Sequence, residues 1–562
     1  MAYQPHTDSD RARMLAALGI DSVEALYEDI PASVRATGID LPDGEPELVL
    51  QRRMASLAAR NRVDLVSFLG AGVYHHHLPA AVDTILSRGE FASAYTPYQP
   101  EISQGTLQTI YEYQSMLSEL TGLPVVSASH YDGAAATAEA CLMTIRATGR
   151  DRVLASRAIH RHYLDTARTY FSDGRHILEE LPTLADGTTD LDALEAALAE
   201  PDRPVAGVLL GQPNAFGVLE PMARAAALAH AAGALFVSVV EPVSLAVLAS
   251  PGEIGADIAV GEGQPLGIAP QYGGPYLGIL AATEALTRQV PGRLVGRTLD
   301  VDGRRAYVMT LRAREQDIRR DRAASNICTN QALCALAATV YLATLGPHGL
   351  RDVAASGAAA ARRLEAGLAA VGVARVHTAA YLNEFAIRVP DAAAVHDALL
   401  DAGVLAGLPL ARWYPDDPGL ADALLVCATE VTTDADIARL AGALAAALGG
   451  RVAVTACARS RIARWMSGCP CATRGRGRWV PGAPWVHRCS RRSPSCPCPV
   501  ATATRCHIRL RMRSQASPPT SCAAVRSGCR SSRSRRSSAT SRTCRISTTP
   551  WTAASTRSAR AP

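Results

Sequence analysis

Residues 205–267 read VAGVLLGQPNAFGVLEPMARAAALAHAAGALFVSVVEPVSLAVLASPGEIGADIAVGEGQPLG. Val205 to Leu210 is a continuous apolar run ended by Gly211, Pro213 and Asn214, which predicts a strand buried on both faces. Met222 to Ala232 is an Ala-rich helix and Ala234 to Val240 a second buried strand. Ala256 to Val260 adds a third, which runs straight into Gly261-Glu-Gly-Gln-Pro-Leu-Gly267. Strand, turn, helix and strand in that order predict a right-handed crossover in an α/β fold with a mostly parallel sheet.

Working outward, the same alternation begins near Phe68, and residues 66–325 read as one large α/β domain. Residues 1–65 read as a charged helical arm, with Ser9 as candidate cap ahead of Met14, Leu15 and Leu18. Beyond Asn326 the chain is helical through Leu345, and a long Ala-rich helix covers about Arg351 to Val371. Strand-like pieces at Glu384 to Val389 and Ala423 to Cys427 mark a smaller α+β domain over 326–449. Its last helix carries Ile437, Leu440, Leu444 and Leu448 on one face, with Thr433 as candidate N-cap and Gly449 as stop.

The 562 residues hold 57 basic and 52 acidic side chains for a net charge of +5, an average over two unlike polymers. Residues 451–562 contain 23 Arg and no acid, leaving 34 basic groups against 52 acids before them, a body at −18. Such a body has no general electrostatic reason to bind nucleic acid or an anionic membrane. No apolar run reaches the roughly 20 residues of a membrane span, and Asp8, Asp10 and Arg11 are unlike a signal peptide. Cys141, Cys328, Cys334 and Cys427 are scattered through the body, and the other ten cysteines lie in the tail. That usage predicts a reduced, cytoplasmic protein. Lysine occurs nowhere in the chain, so chemistry that needs a lysine amine is excluded.

Several strings are specific enough to carry chemistry. Tyr95-Thr-Pro-Tyr-Gln-Pro-Glu-Ile-Ser-Gln-Gly105, led in by Phe68-Leu-Gly-Ala-Gly72, is a rigid polar loop, costly to bury unless something binds there. Ser127-Ala-Ser-His-Tyr-Asp-Gly133-Ala134 opens a helix on small residues. Its free N–H groups fit a phosphate cradle, and close backbone approach would select the same residues. Gly261 to Gly278 has GxGxxxG spacing and fails as a dinucleotide fingerprint. His75-His76-His77 invites a metal, but consecutive side chains diverge and no second ligand pair sits nearby, which favours packed or surface histidines. The Cys469/Cys471 and Cys496/Cys498 pairs lack zinc-finger spacing.

Taken together, AYTPYQPEISQGTLQ, YDGAAATAEA, GEGQPLG with GGPYLG, and SNICTNQAL resemble the glycine cleavage system P-protein family, glycine dehydrogenase (aminomethyl-transferring). Within it, residues 1 to about 449 are similar to subunit 1 of the two-subunit form. The resemblance implies a fold-type I pyridoxal-phosphate (PLP) enzyme fold and a heterotetramer with a homologous subunit 2, whose lysine holds the cofactor. It implies decarboxylation of glycine and transfer of the aminomethyl group to the lipoyl arm of H-protein. It sets Gln264 near the lysine position, leaving a vestigial pocket at Gly133, Ala134, Glu241 and Gln264. Tyr95, Tyr98, Gln99, Glu101, Ser103 and Gln104, with Asn326, become candidates for completing the partner's substrate channel, and His130 a weaker one.

Residues 450–562 show no period of 2 or 3.6 and no means of burying a core, so disorder is expected. Back-translating Pro550 to Pro562 and starting each codon one base early permits Val-Asp-Ser-Gly-Phe-Tyr-Pro-Leu-Gly-Ser-Cys-Thr, with the Asp forced by the single Trp codon. That string resembles a DSGFYPLGSCT-like segment of the family's second subunit, so the tail reads as partner sequence translated out of frame. Two rival readings are a basic-tailed nucleic-acid-binding protein on an inactive enzyme fold and a lone cofactor-binding regulator.

Overall fold

The computed structural model describes residues 6–449 apart from 37, 39, 272, 328 and 329, so Cys328 and the tail lie outside the described residues. Seven strands form the central sheet: β1 (Val125–Val126), β2 (Arg152–Ser156), β3 (Ile177–Leu181), β4 (Val205–Gln212), β5 (Leu235–Val240), β6 (Ile258–Glu262) and β7 (Gly278–Ala282). Their order across the sheet is β1-β7-β6-β5-β4-β2-β3. Neighbours from β6 through β5, β4 and β2 to β3 pair in parallel, and β7 pairs antiparallel with both β6 and β1. The apolar runs of β4, β5 and β6 are continuous because both faces are covered.

On one face, Ala136, Ala140 and Met143 of the helix Gly133–Thr148 meet Val153, Leu209, Val237 and Val260. The opposite face is shared by two layers of helix. Met222, Ala225 and Ala229 of Met222–Ala231 pack on Val208, Leu210 and Phe236. Tyr113 and Leu117 of Gln104–Thr121, with Ala337 and Tyr341 of Ala332–Ala369, cover Ala259, Ile279 and Ala281. Because β4, β5 and β6 are parallel, Gln212, Val240 and Glu262 end at one edge, where open α/β sheets carry their sites.

The boundary between the two cores differs from the sequence division at residue 326. The helix Ala332–Ala369 is interrupted at Gly346, before Pro347. Its Cys334 to Ala354 portion belongs to the large-domain core, and Ala360, Leu364 and Leu368 belong to the small-domain core. Composition gives no sign of this, since the helix is Ala-rich on both sides. Val66–Ser67 pairs with Val404–Leu405 and Phe68 joins the small-domain core, so residues 66–68 pack away from the domain that the sequence division gives them. The small domain holds an antiparallel sheet of Glu384–Arg388, Ala423–Cys427 and Leu408–Pro409, closed by the helix Asp434–Ala447 with Thr433 as N-cap. At the other end of the chain, Thr7 rather than Ser9 caps the helix Asp8–Leu18, in a capping box with Asp10. Neither this helix nor Glu47–Ala58 buries any residue.

Gly217 (φ 77°) brings the turn after β4 against the carbonyl of Glu384 on the small-domain strand, with no room for a Cβ. Gly217→Ala is expected to lower stability by roughly 2–4 kcal/mol, from left-handed strain plus overpacking. Urea denaturation checks this, and an unchanged midpoint would refute the close contact.

Candidate functional site

The C-terminal edge of the sheet opens into a narrow pocket lined by Gly211 near the end of β4 and Asn214 after it, Glu241 after β5, Glu262 at the end of β6 and Pro265 after it, and Tyr74, His160, Tyr163, Glu384 and Trp413. Its volume is about 60 Å³, room for a few waters and far below the several hundred of most small-molecule sites.

Glu262 organises this edge. One carboxylate oxygen accepts the N–H groups of Gln264 and Leu277, each at 2.9 Å, and the other accepts that of Gly133, also at 2.9 Å. Asp132 takes the N–H of Ala135 at 2.7 Å. The helix start that could cradle a phosphate therefore already holds carboxylates from its own chain. A side chain at Gly133 would strike the Tyr163 hydroxyl, so close packing operates as well as anion capture. Ala134 is half-buried beside it.

Gln264 is 1 % exposed and fully engaged. Its amide nitrogen donates to the carbonyls of Ile268 (2.7 Å) and Tyr74 (3.0 Å), and its oxygen accepts the Tyr74 N–H (2.9 Å). The residue at the expected lysine position thus fastens the segment Gly70–Tyr74 over the pocket. Glu384 fastens the same segment, accepting the Ala71 N–H at 2.6 Å and the Tyr74 hydroxyl at 3.0 Å. His160 donates its Nε2–H to the Ala71 carbonyl (2.9 Å), since its Nδ1 accepts the His162 N–H. Its ring sits between Tyr163 and Trp413, at 4.8 and 4.5 Å between centres.

Burial dominates the ionisation of this pocket. It pushes the carboxyls of Glu262 and Glu384 up to about 7 against the opposing hydrogen bonds, and raises that of Glu241. Burial likewise holds His160 neutral, down to about 4. Glu241 turns its carboxylate back on the N–H groups of Val243 (2.9 Å) and Ser244 (2.7 Å). Pyridoxal phosphate does not fit here: the chain has no amine for it, the N–H groups that would meet its phosphate are taken by Glu262 and Asp132, and the pocket is too small.

The other candidates lie elsewhere. The Tyr95 loop, costly to bury by its sequence, lies at the surface: Tyr95 is 69 % and Tyr98 46 % exposed, and Gln99 and Glu101 are exposed too. Gln104 is structural rather than free: its amide pairs with both backbone groups of Tyr307 at 2.9 Å, like one more rung of the strand Arg305–Thr310. Ser103 is half-buried at the start of the helix and makes no side-chain cap. Asn326 is exposed, and it is Asn330 and Gln331 that line a cleft of about 200 Å³ with Tyr95 and Thr96. The Asn330 side-chain nitrogen is buried there without a partner. His130 is fully buried, held near 3 by burial and by Arg314, with Nδ1 on Ser127 at 3.0 Å. His76 pairs with Glu430 at 2.7 Å, and no group of three metal-ligating side chains occurs among the described residues.

Arg293 escapes sequence reading. It is 7 % exposed beneath the Tyr95 loop, donating to the Thr96 hydroxyl at 2.9 Å, with its guanidinium 5.6 Å from the Tyr98 ring centre. It has no salt bridge among the described residues. A lone Arg after Pro291-Gly292 gives no sequence signal of this, whereas Glu262 stands in plain view inside GEGQPLG.

The glycine cleavage system P-protein family model matches residues 1–444. The chain belongs to the glycine cleavage system P-protein family. It is 51 % identical over 447 residues to the probable glycine dehydrogenase (decarboxylating) subunit 1 of Moorella thermoacetica, covering 79 % of this chain and 99 % of that one. It is 46 % identical to the corresponding protein of Novosphingobium aromaticivorans, over 79 % of this chain and 99 % of that one. A crystal structure of an inhibitor-bound glycine decarboxylase P-protein superposes with a TM-score of 0.74 at 43 % identity, covering 80 % of this chain and all of that one. The fold is that of the fold-type I PLP-dependent enzymes.

Because Glu384 prefers its protonated form in the fold, its contribution to stability is full below pH 4.5 and is lost as pH rises through about 7. Glu384→Gln keeps an acceptor for Ala71 and cannot ionise. Thermal unfolding from pH 5 to 8 is expected to show this variant gaining on the wild type, by on the order of 2 kcal/mol above pH 7. Parallel curves would refute the assignment.

Proposed function

We propose that this chain is the non-catalytic first subunit of a two-subunit glycine dehydrogenase, an oxidoreductase of the glycine cleavage system. A homologous, lysine-bearing second subunit holds pyridoxal phosphate covalently, in a cytoplasmic heterotetramer. The enzyme removes the glycine carboxylate as CO2 and passes the aminomethyl group to the lipoyl arm of H-protein. The observation that carries this reading is the contrast between the two sites. The pocket at the sheet edge is filled by the chain's own Glu262 and Gln264, while the Tyr95 loop stays exposed over a buried Arg293 that has no salt bridge among the described residues.

In this reading Tyr95, Tyr98 and Gln99 offer hydrogen bonds to the partner's substrate channel, and Glu101 offers an acid. Arg293 holds the loop through Thr96 and supplies positive charge, and Asn330 offers an unused N–H at the cleft beside it. The arm supports an obligate partner as well: Leu18, Leu26, Leu48, Leu50, Met54 and Leu57 are all exposed. Neither the helix Asp8–Leu18 nor Glu47–Ala58 buries a residue against the rest of the chain.

None of the comparisons supports the reading as a nucleic-acid-binding protein. The 23 arginines after residue 450 are then partner sequence read out of frame, which resequencing the junction tests. Co-expression with the product of the gene immediately downstream is expected to give H-protein-dependent glycine decarboxylation, with none from this chain alone. Arg293→Gln is expected to lower kcat/KM about tenfold, the scale of one charge-assisted hydrogen bond, with the partner's cofactor content unchanged. Turnover by the isolated chain would refute the division of labour.

A further inference from the structure

Arg146, Arg288, Arg314, Arg319 and Arg322 converge on a cleft of about 390 Å³, which Gln289, Leu311 and Ala323 also line. The volume is that of a small-molecule site. None of the five arginines has a salt bridge among the described residues, in a body that carries an excess of acids. Two of them are buried at the atoms that matter. Arg146 donates one N–H to the Gln289 carbonyl at 3.3 Å, and its Nε has no partner. Arg314 donates to the Val290 carbonyl, and both its Nε and its second terminal nitrogen are buried without partners.

None of the acids within reach forms a salt bridge with the five arginines among the described residues. Glu139 acts on Arg146 only through space while accepting the Ser325 hydroxyl at 2.6 Å, and Asp317 is paired with Arg312 at 2.6 Å. Glu315 acts on Arg314 only through space. His130, also near Arg314, is held neutral by burial. Arg146 lies in the last turn of its helix, where the dipole favours a cation but does not discharge it. The surrounding backbone is held in unfavourable shapes, since Leu311 (φ 55°) and Arg320 (φ 56°) are non-glycine residues at positive φ. Such strain concentrates at ligand clamps.

We propose that these five arginines bind a phosphate monoester of a small organic molecule, at a site separate from the filled pocket at the sheet edge. One carboxylate is saturated by one or two guanidinium forks, whereas a phosphate dianion offers three oxygens and two charges to several. The cleft is too large for the phosphate alone and leaves room for the organic part.

The test uses the full chain by itself, without partner or glycine, so its outcome is independent of the proposed activity. Pyridoxamine 5′-phosphate, which forms no imine with the protein, is the probe, with pyridoxamine and inorganic phosphate as comparison arms. Calorimetric titration is combined with hydrogen exchange. The site predicts protection at residues 284–292 and 311–324, and binding at least tenfold weaker for Arg146→Gln/Arg314→Gln. The exposed pair Arg319→Gln/Arg322→Gln, which should not disturb folding, is expected to weaken binding at least threefold. Every variant keeps the basic tail, so its contribution cancels. Protection confined to residues beyond 450, or variants that bind like the wild type, would overturn the proposal. Equal binding of pyridoxamine would overturn the role of the phosphate, and equal binding of inorganic phosphate the commitment to an organic ester.

Discussion

The carboxylate of Glu262 accepts three backbone N–H groups from three places: the helix start at Gly133, the turn at Gln264 and the approach to β7 at Leu277. Each of those donors sits at a buried strand or helix end, where leaving it unpaired costs about 1–3 kcal/mol. In a cofactor-bearing relative of this fold such a helix start can meet a phosphate. Here a tethered acid meets it with no loss of translational freedom, so the edge of the sheet is complete in the polypeptide alone. Burial nevertheless pushes the acid up to about 7, because the desolvated carboxylate loses more hydration than its hydrogen bonds return.

Gln264 carries no amine, and the covering segment Gly70–Tyr74 shows how the space at the sheet edge is used. Gln264, Glu384 and His160 each hold it by a hydrogen bond that spans a long stretch of sequence. A lysine at 264 would bring a charge with no acceptor for the Tyr74 N–H. Reversal of this state therefore asks for several coordinated changes, among them Glu262, Gln264 and the covering loop.

What was legible in the sequence was whatever has a local period or a local chemical reason. The strands β4, β5 and β6 stand out because both faces are buried, and Thr433 because a cap needs a hydroxyl next to its helix. Thr7 was missed for Ser9 because two hydroxyls stand two residues apart and only geometry decides which reaches the Asp10 N–H. The site was less legible because its decisive bonds are non-local. Gln104 in a polar loop reads as a binding residue, yet its amide is spent on the backbone of Tyr307. Arg293 and Asn330 carry no motif, and their interest appears only when burial exposes a charge or an N–H without a partner.

Those same non-local bonds tie the exposed loop to the central sheet. The Tyr95 loop is held at its far end by Gln104 on Tyr307 and from beneath by Arg293, which follows the strand β7 and leads into Leu294. The next turns of the helix after Gln104 bury Leu107 and Ile110, and its Gln114 bonds both backbone groups of Val295. Tyr113 and Leu117 then carry the helix onto Ile279 and Ala281 of β7. The strand that presents Leu277 to Glu262 is thus the floor on which the exposed loop stands. The filled edge of the sheet and the exposed loop therefore rest on one connected set of packed side chains.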